Sequence, residues 1–328
     1  MGLDAIIVNR DFTETAPRIT IEAEAQISDG RWLEDARDAL ATHGAVLLSG
    51  PIARPDAAEI VLEMIDGDLL DDAYWSTPRT GVAKKTFTAT EIPGPRTIPL
   101  HSEMSYMRAW PRLVAFHALE VASAGGETTV CDIDALSARL GNVVDRFRDR
   151  GVLYRRTFQA SLDVPWQKAF QTNDPDEVAR IADRLGMQID WRSDDVLVAT
   201  HSAQGTIAAE DGRPIWFNQA NLFHPSSLGP VRETLERLYG ADKLPRNVFF
   251  GNGEPIDESD LALVQASFDA CRLNMAWSKG DILVLDNMRF AHGRMPFKGK
   301  RVLHVAMSKR YEDTVRRPLF AAHQLNRP

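Results

Sequence analysis

Two side chains with acid–base and metal-binding chemistry stand two residues apart in the stretch TIPLHSEMSY, Thr97 to Tyr106. If this stretch is a β-strand, His101 and Glu103 project from the same face, because the side chains of a strand alternate. A third candidate, His292, follows a short apolar run and the polar break DNMRFAH. Two imidazoles and one carboxylate are the facial ligand set of non-haem Fe(II) oxygenases. The sequence therefore predicts a metal site formed by His101, Glu103 and His292.

Other interpretations of these residues remain open at this point. A His-x-Glu pair alone recurs by chance and fits polar residues on the exposed face of a half-buried strand. A hydrolytic zinc site has the same donor types, although the helical motif HExxH is absent. A binding protein that kept the fold and lost the chemistry is a third alternative, which would be favoured if one of the ligands were missing.

The elements that must position these residues are mainly short strands. GRWLEDARDALATHG has apolar residues at helical spacing and ends at a glycine, and AVLLSG indicates a buried strand. From Lys85 onward, short apolar segments such as RLVAFHALEV and ETTVCDI are separated by Pro or Gly-Gly, which favours a sandwich of strands. We predict a mainly β fold with helices: a jelly-roll core in one domain, residues 1–328, with helical or lid segments inserted around 135–280.

Composition excludes several classes of function. The chain has 328 residues and a net charge of −8, so it lacks the basic surplus typical of nucleic-acid-binding proteins. No basic leader and no uninterrupted run of eighteen apolar residues is present, which indicates a cytoplasmic protein without a membrane span. Cys131 and Cys271 lie far apart without a CxxC spacing, and we expect buried thiols.

Four segments together resemble the TauD/TfdA family of Fe(II)- and 2-oxoglutarate-dependent dioxygenases, nearest the syringomycin-type aspartyl hydroxylases and more distantly clavaminate synthase. They are TATEIPGPRTIPLHSEMSY, PRLVAFHALEVASAGGETTVCD, GRPIWFNQANLFH and GDILVLDNMRFAHGRMPFKGKRVLHVAM, in this order. The resemblance implies Fe(II), 2-oxoglutarate and O2 as cofactors, with the metal held by the three residues named above. It also implies that Thr128 and Arg301 bind 2-oxoglutarate. Arg294 either assists at the 2-oxoglutarate site or braces its loop.

The resemblance further implies oxidation of a C–H bond with release of succinate and CO2. Related halogenases replace the carboxylate ligand by a small residue, so Glu103 favours hydroxylation, with desaturation, cyclisation or successive oxidation left open. Val305 stands where taurine dioxygenase has a second arginine, which argues against a sulfonate substrate. The expected substrate is an amino-acid-like small molecule, free or tethered to a carrier protein. Arg96, Tyr106 and Asn218 are candidate substrate-binding residues.

Overall fold

The structure is a computed structural model that describes residues 12, 16–70, 80–89, 92–308 and 310–312. The sequence pattern also favours a polar, aromatic loop at residues 71–79 and a strand in the segment TFTATEI, residues 86–92. The loop, and residues 90 and 91 of the segment, lie outside the described residues. The chain termini of the predicted single domain also lie outside them.

The described residues form short strands with ten α-helices distributed among them. The strands are β1 Arg18–Thr20, β2 Ala45–Ser49, β3 Phe87–Thr88, β4 Ile98–His101, β5 Ala109–Pro111, β6 Leu113–Glu120, β7 Ala124–Gly125, β8 Thr128–Asp132, β9 Val152–Phe158, β10 Gln188–Ser193, β11 Val196–Ala203, β12 Thr206–Ala208, β13 Pro214–Trp216, β14 Arg246–Phe250, β15 Leu273–Met275, β16 Ile282–Asp286, β17 Phe290–Arg294, β18 Phe297–Lys298, β19 Val302–Met307 and β20 Arg310–Glu312. The helices are α1 Gln26–Asp29, α2 Leu33–His43, α3 Ala57–Asp66, α4 Ile133–Leu140, α5 Asn142–Arg150, α6 Trp166–Phe170, α7 Pro175–Arg184, α8 Ala220–Phe223, α9 Arg232–Tyr239 and α10 Glu258–Cys271.

The larger sheet has six strands in the order β1-β2-β16-β6-β19-β3. Its side chains alternate between two apolar clusters: Leu47 and Leu285 face the inside of the sandwich, whereas Leu48 and Val284 pack beneath α2 and α3. Both faces of the sheet are therefore covered. This explains why AVLLS and ILVL are continuous apolar runs rather than alternating ones.

The smaller sheet has four antiparallel strands in the order β15-β8-β17-β4. Its inward side chains, among them Leu100, Val130 and Met275, belong to the same cluster as the inner face of the larger sheet. The chain passes from β16 in the larger sheet to β17 in the smaller one through residues 287–289. The two packed sheets confirm the predicted jelly roll, or double-stranded β-helix.

The segment between β8 and β15, residues 133–271, holds α4 to α10 but is not only helical. It also contains a four-stranded sheet in the order β10-β11-β9-β14 and the hairpin β12-β13. The sequence pattern predicted neither β9 nor α10. In β9, Arg155 and Arg156 interrupt the apolar run, and in α10 the buried Asp260 and Ser267 dilute the helical apolar period. Within the described residues, no helix combines the length and the hydropathy needed to cross a bilayer.

Candidate metal centre

The two histidines of the predicted site lie on neighbouring strands of the smaller sheet. His101 ends β4 and pairs directly with His292 in β17, and their ring centroids are 4.9 Å apart. The Nδ1 atom of His101 lies 2.8 Å from the carbonyl oxygen of Pro99. When Nδ1–H donates to this carbonyl, the lone pair of Nε2 is left for a metal. The ring of His292 packs edge-on against Phe116, with ring centroids 5.0 Å apart.

Glu103 reaches the histidines by a route that the sequence did not predict. β4 ends at His101, and Glu103 lies in the following turn, where Met104 has a positive φ of 55°. The expectation that His101 and Glu103 share one face of a strand is therefore wrong. The backbone of Glu103 is held by the side chain of Asn287, whose Oδ1 accepts from Glu103 N at 2.6 Å and whose Nδ2 donates to Glu103 O at 3.0 Å.

Asn287 is a positioning residue that the sequence reasoning passed over. It is fully buried and lies where the chain leaves β16 for β17, and its Nδ2 also donates to Pro111 O at 2.9 Å. The signal available in the sequence was an asparagine in the polar break between an apolar segment and His292.

The three side chains provide a donor set that suits Fe(II). One ligand atom from each of His101, Glu103 and His292 lies within 4.8 Å of the others. The Nε2 atom of His292 and the Oε2 atom of Glu103 are 3.7 Å apart, which is too long for a hydrogen bond. Glu103 and His292 are 6% and 5% exposed, and a carboxylate this buried is stabilised by a bound cation. Two imidazoles and a carboxylate match the facial triad of non-haem iron sites.

A cavity lies beside this cluster, between the two sheets. Thr128 lines it from β8, one strand away from His292. The indole Nε1–H of Trp277 donates to Thr128 Oγ1 at 3.0 Å. Because the indole occupies a lone pair of the oxygen, the hydroxyl proton of Thr128 is available to donate to a ligand in the cavity. The apolar part of the wall comes from Ala89, Ile98, Phe116, Leu303 and Val305.

Two arginines line the same cavity. Arg301 immediately precedes β19, and its Nε donates to Gly126 O at 3.0 Å. Burial, followed by the like charge of Arg294, lowers the pKa of Arg301 to about 10, against the opposing effect of Glu127. Arg301 stays cationic at neutral pH, and within the described part of the chain no carboxylate is in ion-pair contact with it. The part of the cavity wall that Arg301 forms therefore suits an anion.

Arg294 mainly braces the neighbouring loop. Its NH1 donates to Ile92 O at 2.9 Å, and its NH2 donates to Pro93 O at 3.0 Å and to Arg96 O at 2.7 Å. Its guanidinium also lies over the Phe297 ring, 4.9 Å from the centroid. Burial lowers the pKa of Arg294. Of the two roles expected for Arg294, these hydrogen bonds support bracing of the loop. The Nε atom of Arg294 has no hydrogen-bond partner among the described residues.

The structure does not bring the three candidate substrate residues into this cavity. Arg96 is exposed, on the loop that Arg294 braces. Tyr106 is buried in an aromatic cluster with Tyr154, His201 and Phe223. The side chain of Asn218 holds its own loop: Nδ2 donates to Gly205 O at 2.7 Å and Oδ1 accepts from Ala220 N at 2.9 Å. Val305 is a buried part of the cavity wall, so the position carries no cation.

His117 and His304, by contrast, have no place in the site. They pair across β6 and β19, and each ring contacts a backbone carbonyl, that of Ile52 and that of Pro55 respectively. Both are buried histidines of the fold, as the apolar context of each in the sequence indicates.

Comparison with known proteins agrees with this geometry. The model of the family "Taurine catabolism dioxygenase TauD, TfdA family" matches residues 9–307. The dapdiamide synthesis protein DdaC of Enterobacter agglomerans is 35% identical over 235 residues, which cover 71% of each chain. A clavaminate synthase-like protein of Arabidopsis thaliana is 27% identical over 287 residues, 81% of this chain and 82% of that protein.

A solved structure of an asparagine oxygenase, in complex with Fe(II), 2S,3S-3-hydroxyasparagine and succinate, has a similar fold. The TM-score is 0.50 at 15% identity, over 89% of this chain and 93% of that chain. The family match over nearly the whole chain, together with a His-Glu-His cluster beside a cationic cavity, leads to one conclusion. The chain belongs to the TauD/TfdA family and is an Fe(II)- and 2-oxoglutarate-dependent dioxygenase.

Proposed function

We propose that His101, Glu103 and His292 hold the iron and that Thr128 and Arg301 hold 2-oxoglutarate. The observation that carries this proposal is that a His-Glu-His cluster, with Glu103 and His292 buried, and Arg301 line one cavity, and that no carboxylate among the described residues is in ion-pair contact with Arg301. When bound, the metal and the 2-oxo acid supply the oxidising chemistry.

The chain's own side chains bind, orient and exclude water. Arg301 offers a planar fork for the distal carboxylate of 2-oxoglutarate, and Thr128, turned by Trp277, donates its hydroxyl proton to the other carboxylate. Leu303 and Phe116 contribute apolar surface to the same cavity wall, which disfavours water there. Glu103 occupies the carboxylate position that hydroxylases of the family retain.

The proposed reaction is hydroxylation of an unactivated C–H bond in an amino-acid-like small molecule, free or tethered to a carrier protein. The relative at 35% identity is named as a dapdiamide synthesis protein, which supports a role in the synthesis of a small molecule. Val305 leaves the wall apolar where a sulfonate-binding arginine would stand. Of the candidate substrate residues, we retain Arg96, because its side chain is exposed on the loop that Arg294 fixes beside the cavity.

The assignment of the cofactor residues is tested by anaerobic reconstitution with Fe(II) and 2-oxoglutarate. The wild type is expected to show the weak visible charge-transfer band of the chelate. Arg301→Ala should weaken the apparent affinity for 2-oxoglutarate while iron still binds, and Glu103→Ala should weaken iron binding itself. Lys300→Ala is the matched control, because the neighbouring Lys300 is exposed and pairs with Glu120 at the surface.

A band of unchanged intensity and affinity in Arg301→Ala would contradict the proposed 2-oxoglutarate site. The substrate class is then tested by turnover with free amino acids and with aminoacyl carrier proteins, followed by mass spectrometry. Hydroxylation adds one oxygen atom to the product, whereas desaturation or cyclisation removes two hydrogen atoms. Succinate release without any oxidised amino-acid product would contradict the proposed substrate class and leave the cofactor assignment standing.

A further inference from the structure

A buried glutamine of the inserted segment contacts the turn that carries Glu103. Gln219 is 5% exposed and lies directly before α8. Its side-chain Nε2 donates to Ser102 O at 2.9 Å, across 117 positions of the chain. Its backbone N–H donates to the hydroxyl of Tyr154 in β9 at 2.9 Å. Gln219 therefore connects the four-stranded sheet of the inserted segment with the turn that follows β4.

The contact is with the peptide group that precedes the Cα atom of Glu103. The carbonyl of Ser102 and the N–H of Glu103 belong to this one peptide group, whose atoms lie in a plane. Gln219 donates to its carbonyl oxygen, while the Oδ1 atom of Asn287 accepts from its N–H at 2.6 Å. The plane is thus held at both ends, by a residue of the inserted segment and by a residue that links β16 with β17. Because the Cα atom of Glu103 lies in the same plane, the two contacts set where its side chain begins.

The rest of the turn has an unusual backbone conformation and is held from the same segment. Met104 has a φ of 55°, a left-handed conformation that persists in a residue other than glycine only where its surroundings hold it. Gln204, which is fully buried just after β11, donates from Nε2 to Ser105 O at 2.7 Å and to Met107 O at 3.0 Å. The inserted segment therefore holds the turn on both sides of its strained residue.

From these contacts we propose that Gln219 is a positioning residue that directs the carboxylate of Glu103 towards the two histidines. Its effect on the metal passes through the peptide group before Glu103 and then through the carboxylate. The inserted segment thus contributes to iron binding although it supplies none of the three proposed ligands. The inference rests on the proposed function, because it assumes that Glu103 is an iron ligand.

The test is a double-mutant cycle on Fe(II) affinity, measured by anaerobic titration of the metal-free full-length chain with Fe(II) alone. Gln219→Met keeps the length of the side chain, removes the N–H donor and should weaken Fe(II) binding about tenfold. The variant is expected to fold, because Ser105 Oγ still donates to Ser102 O at 2.9 Å. In the Glu103→Ala background the same substitution should leave the weaker Fe(II) affinity unchanged, because the carboxylate through which Gln219 acts is absent.

Asn218→Leu is the matched control. Asn218 precedes Gln219 in the same loop and is similarly buried, but its two side-chain hydrogen bonds hold Gly205 O and Ala220 N instead of the turn. Its replacement should lower the free energy of unfolding in urea at least as much as Gln219→Met does, with the Fe(II) affinity of the wild type. The visible band of the chelate with 2-oxoglutarate should change position in Gln219→Met and not in Asn218→Leu, because the band depends on how the iron is coordinated.

Three results would overturn the proposal. They are an Fe(II) affinity of Gln219→Met equal to that of the wild type, an equal loss of affinity in Asn218→Leu, and a tenfold loss that persists in the Glu103→Ala background. The last two would assign the effect to the loop as a whole instead of to its contact with the turn. If Glu103→Ala alone binds Fe(II) as tightly as the wild type, the proposed iron site is wrong and the inference falls with it, a result distinct from the other three.

Discussion

Replacing Asn287 by alanine tests how the turn that carries Glu103 is held. The side chain of Asn287 is fully buried and makes three hydrogen bonds, of 2.6, 3.0 and 2.9 Å, to the backbone of Glu103 and Pro111. Its removal leaves one buried N–H and two buried carbonyl oxygens without that partner. Each buried polar group left unsatisfied costs about 1–3 kcal/mol, so the loss of three partners should lower the free energy of unfolding by at least about 3 kcal/mol. This is a large part of the roughly 5–15 kcal/mol that stabilises a typical protein.

Urea unfolding measures this loss, and Asn247→Ala serves as the matched control. Asn247 is also a buried asparagine, but its side chain makes a single long hydrogen bond of 3.5 Å to Ala241 O, and we expect a loss of about 1 kcal/mol or less. Under conditions where the Asn287→Ala variant is still folded, its Fe(II) affinity should fall about 10–100-fold, because Glu103 is no longer held. An unfolding free energy and an iron affinity equal to those of the wild type would refute the positioning role of Asn287.

The remaining predictions concern three other positions. Trp277→Phe removes the hydrogen bond to Thr128 and should leave the iron affinity unchanged. The loss of roughly 1 kcal/mol should raise KM for 2-oxoglutarate about fivefold. An unchanged KM would contradict the orienting role of the indole. Gly293→Ala should abolish iron binding, because the added Cβ would lie 2.5 Å from a carbonyl oxygen of β4. Gly81→Ala is the control and should bind iron normally, because its added Cβ has no neighbouring atom within 4 Å. Equal iron binding by the two variants would contradict this prediction and show that the strands adjust. Burial lowers the pKa of His201 to about 4, below its ordinary value of about 6.5, so the unfolded chain takes up this proton first as the pH falls. The free energy of unfolding therefore keeps its full contribution from neutral His201 above about pH 6.5 and falls by about 3 kcal/mol in all as the pH drops towards 4. Urea unfolding across this range should show that the free energy of unfolding depends less steeply on pH in His201→Gln than in the wild type.

The local sequence carries a large part of the fold. The sequence predicts β2 and β16 correctly from their continuous apolar runs, and α2 from its helical spacing followed by Gly44. These signals are local, because a strand buried on both faces and a helix that ends at a left-handed glycine each depend on residues close together in the chain. β9 and α10 were missed because polar residues that are buried in the folded chain interrupt their apolar patterns. Such residues are stabilised by contacts distant in sequence, which a local pattern does not contain.

For the candidate site, too, some features follow from the sequence and others only from the tertiary structure. Residue types and spacing indicated His101, Glu103 and His292 as candidates, and the resemblance to the family added Thr128 and Arg301. Only the tertiary structure decided how they are held. The pairing of β4 with β17 brings together two histidines 191 positions apart in the chain, and a turn, not a strand, presents Glu103.

The supporting contacts of the site were likewise decided by the tertiary structure alone. Trp277 reaches Thr128 across 149 positions, and Asn287 reaches Glu103 across 184. Arg294 commits three of its hydrogen bonds to backbone carbonyls that become available only when the loop folds over it. The chemistry of a side chain is a property of the residue, and the sequence therefore determined which groups are candidates for the site. Orientation and protonation depend on neighbours that only the packing of the two sheets brings into contact.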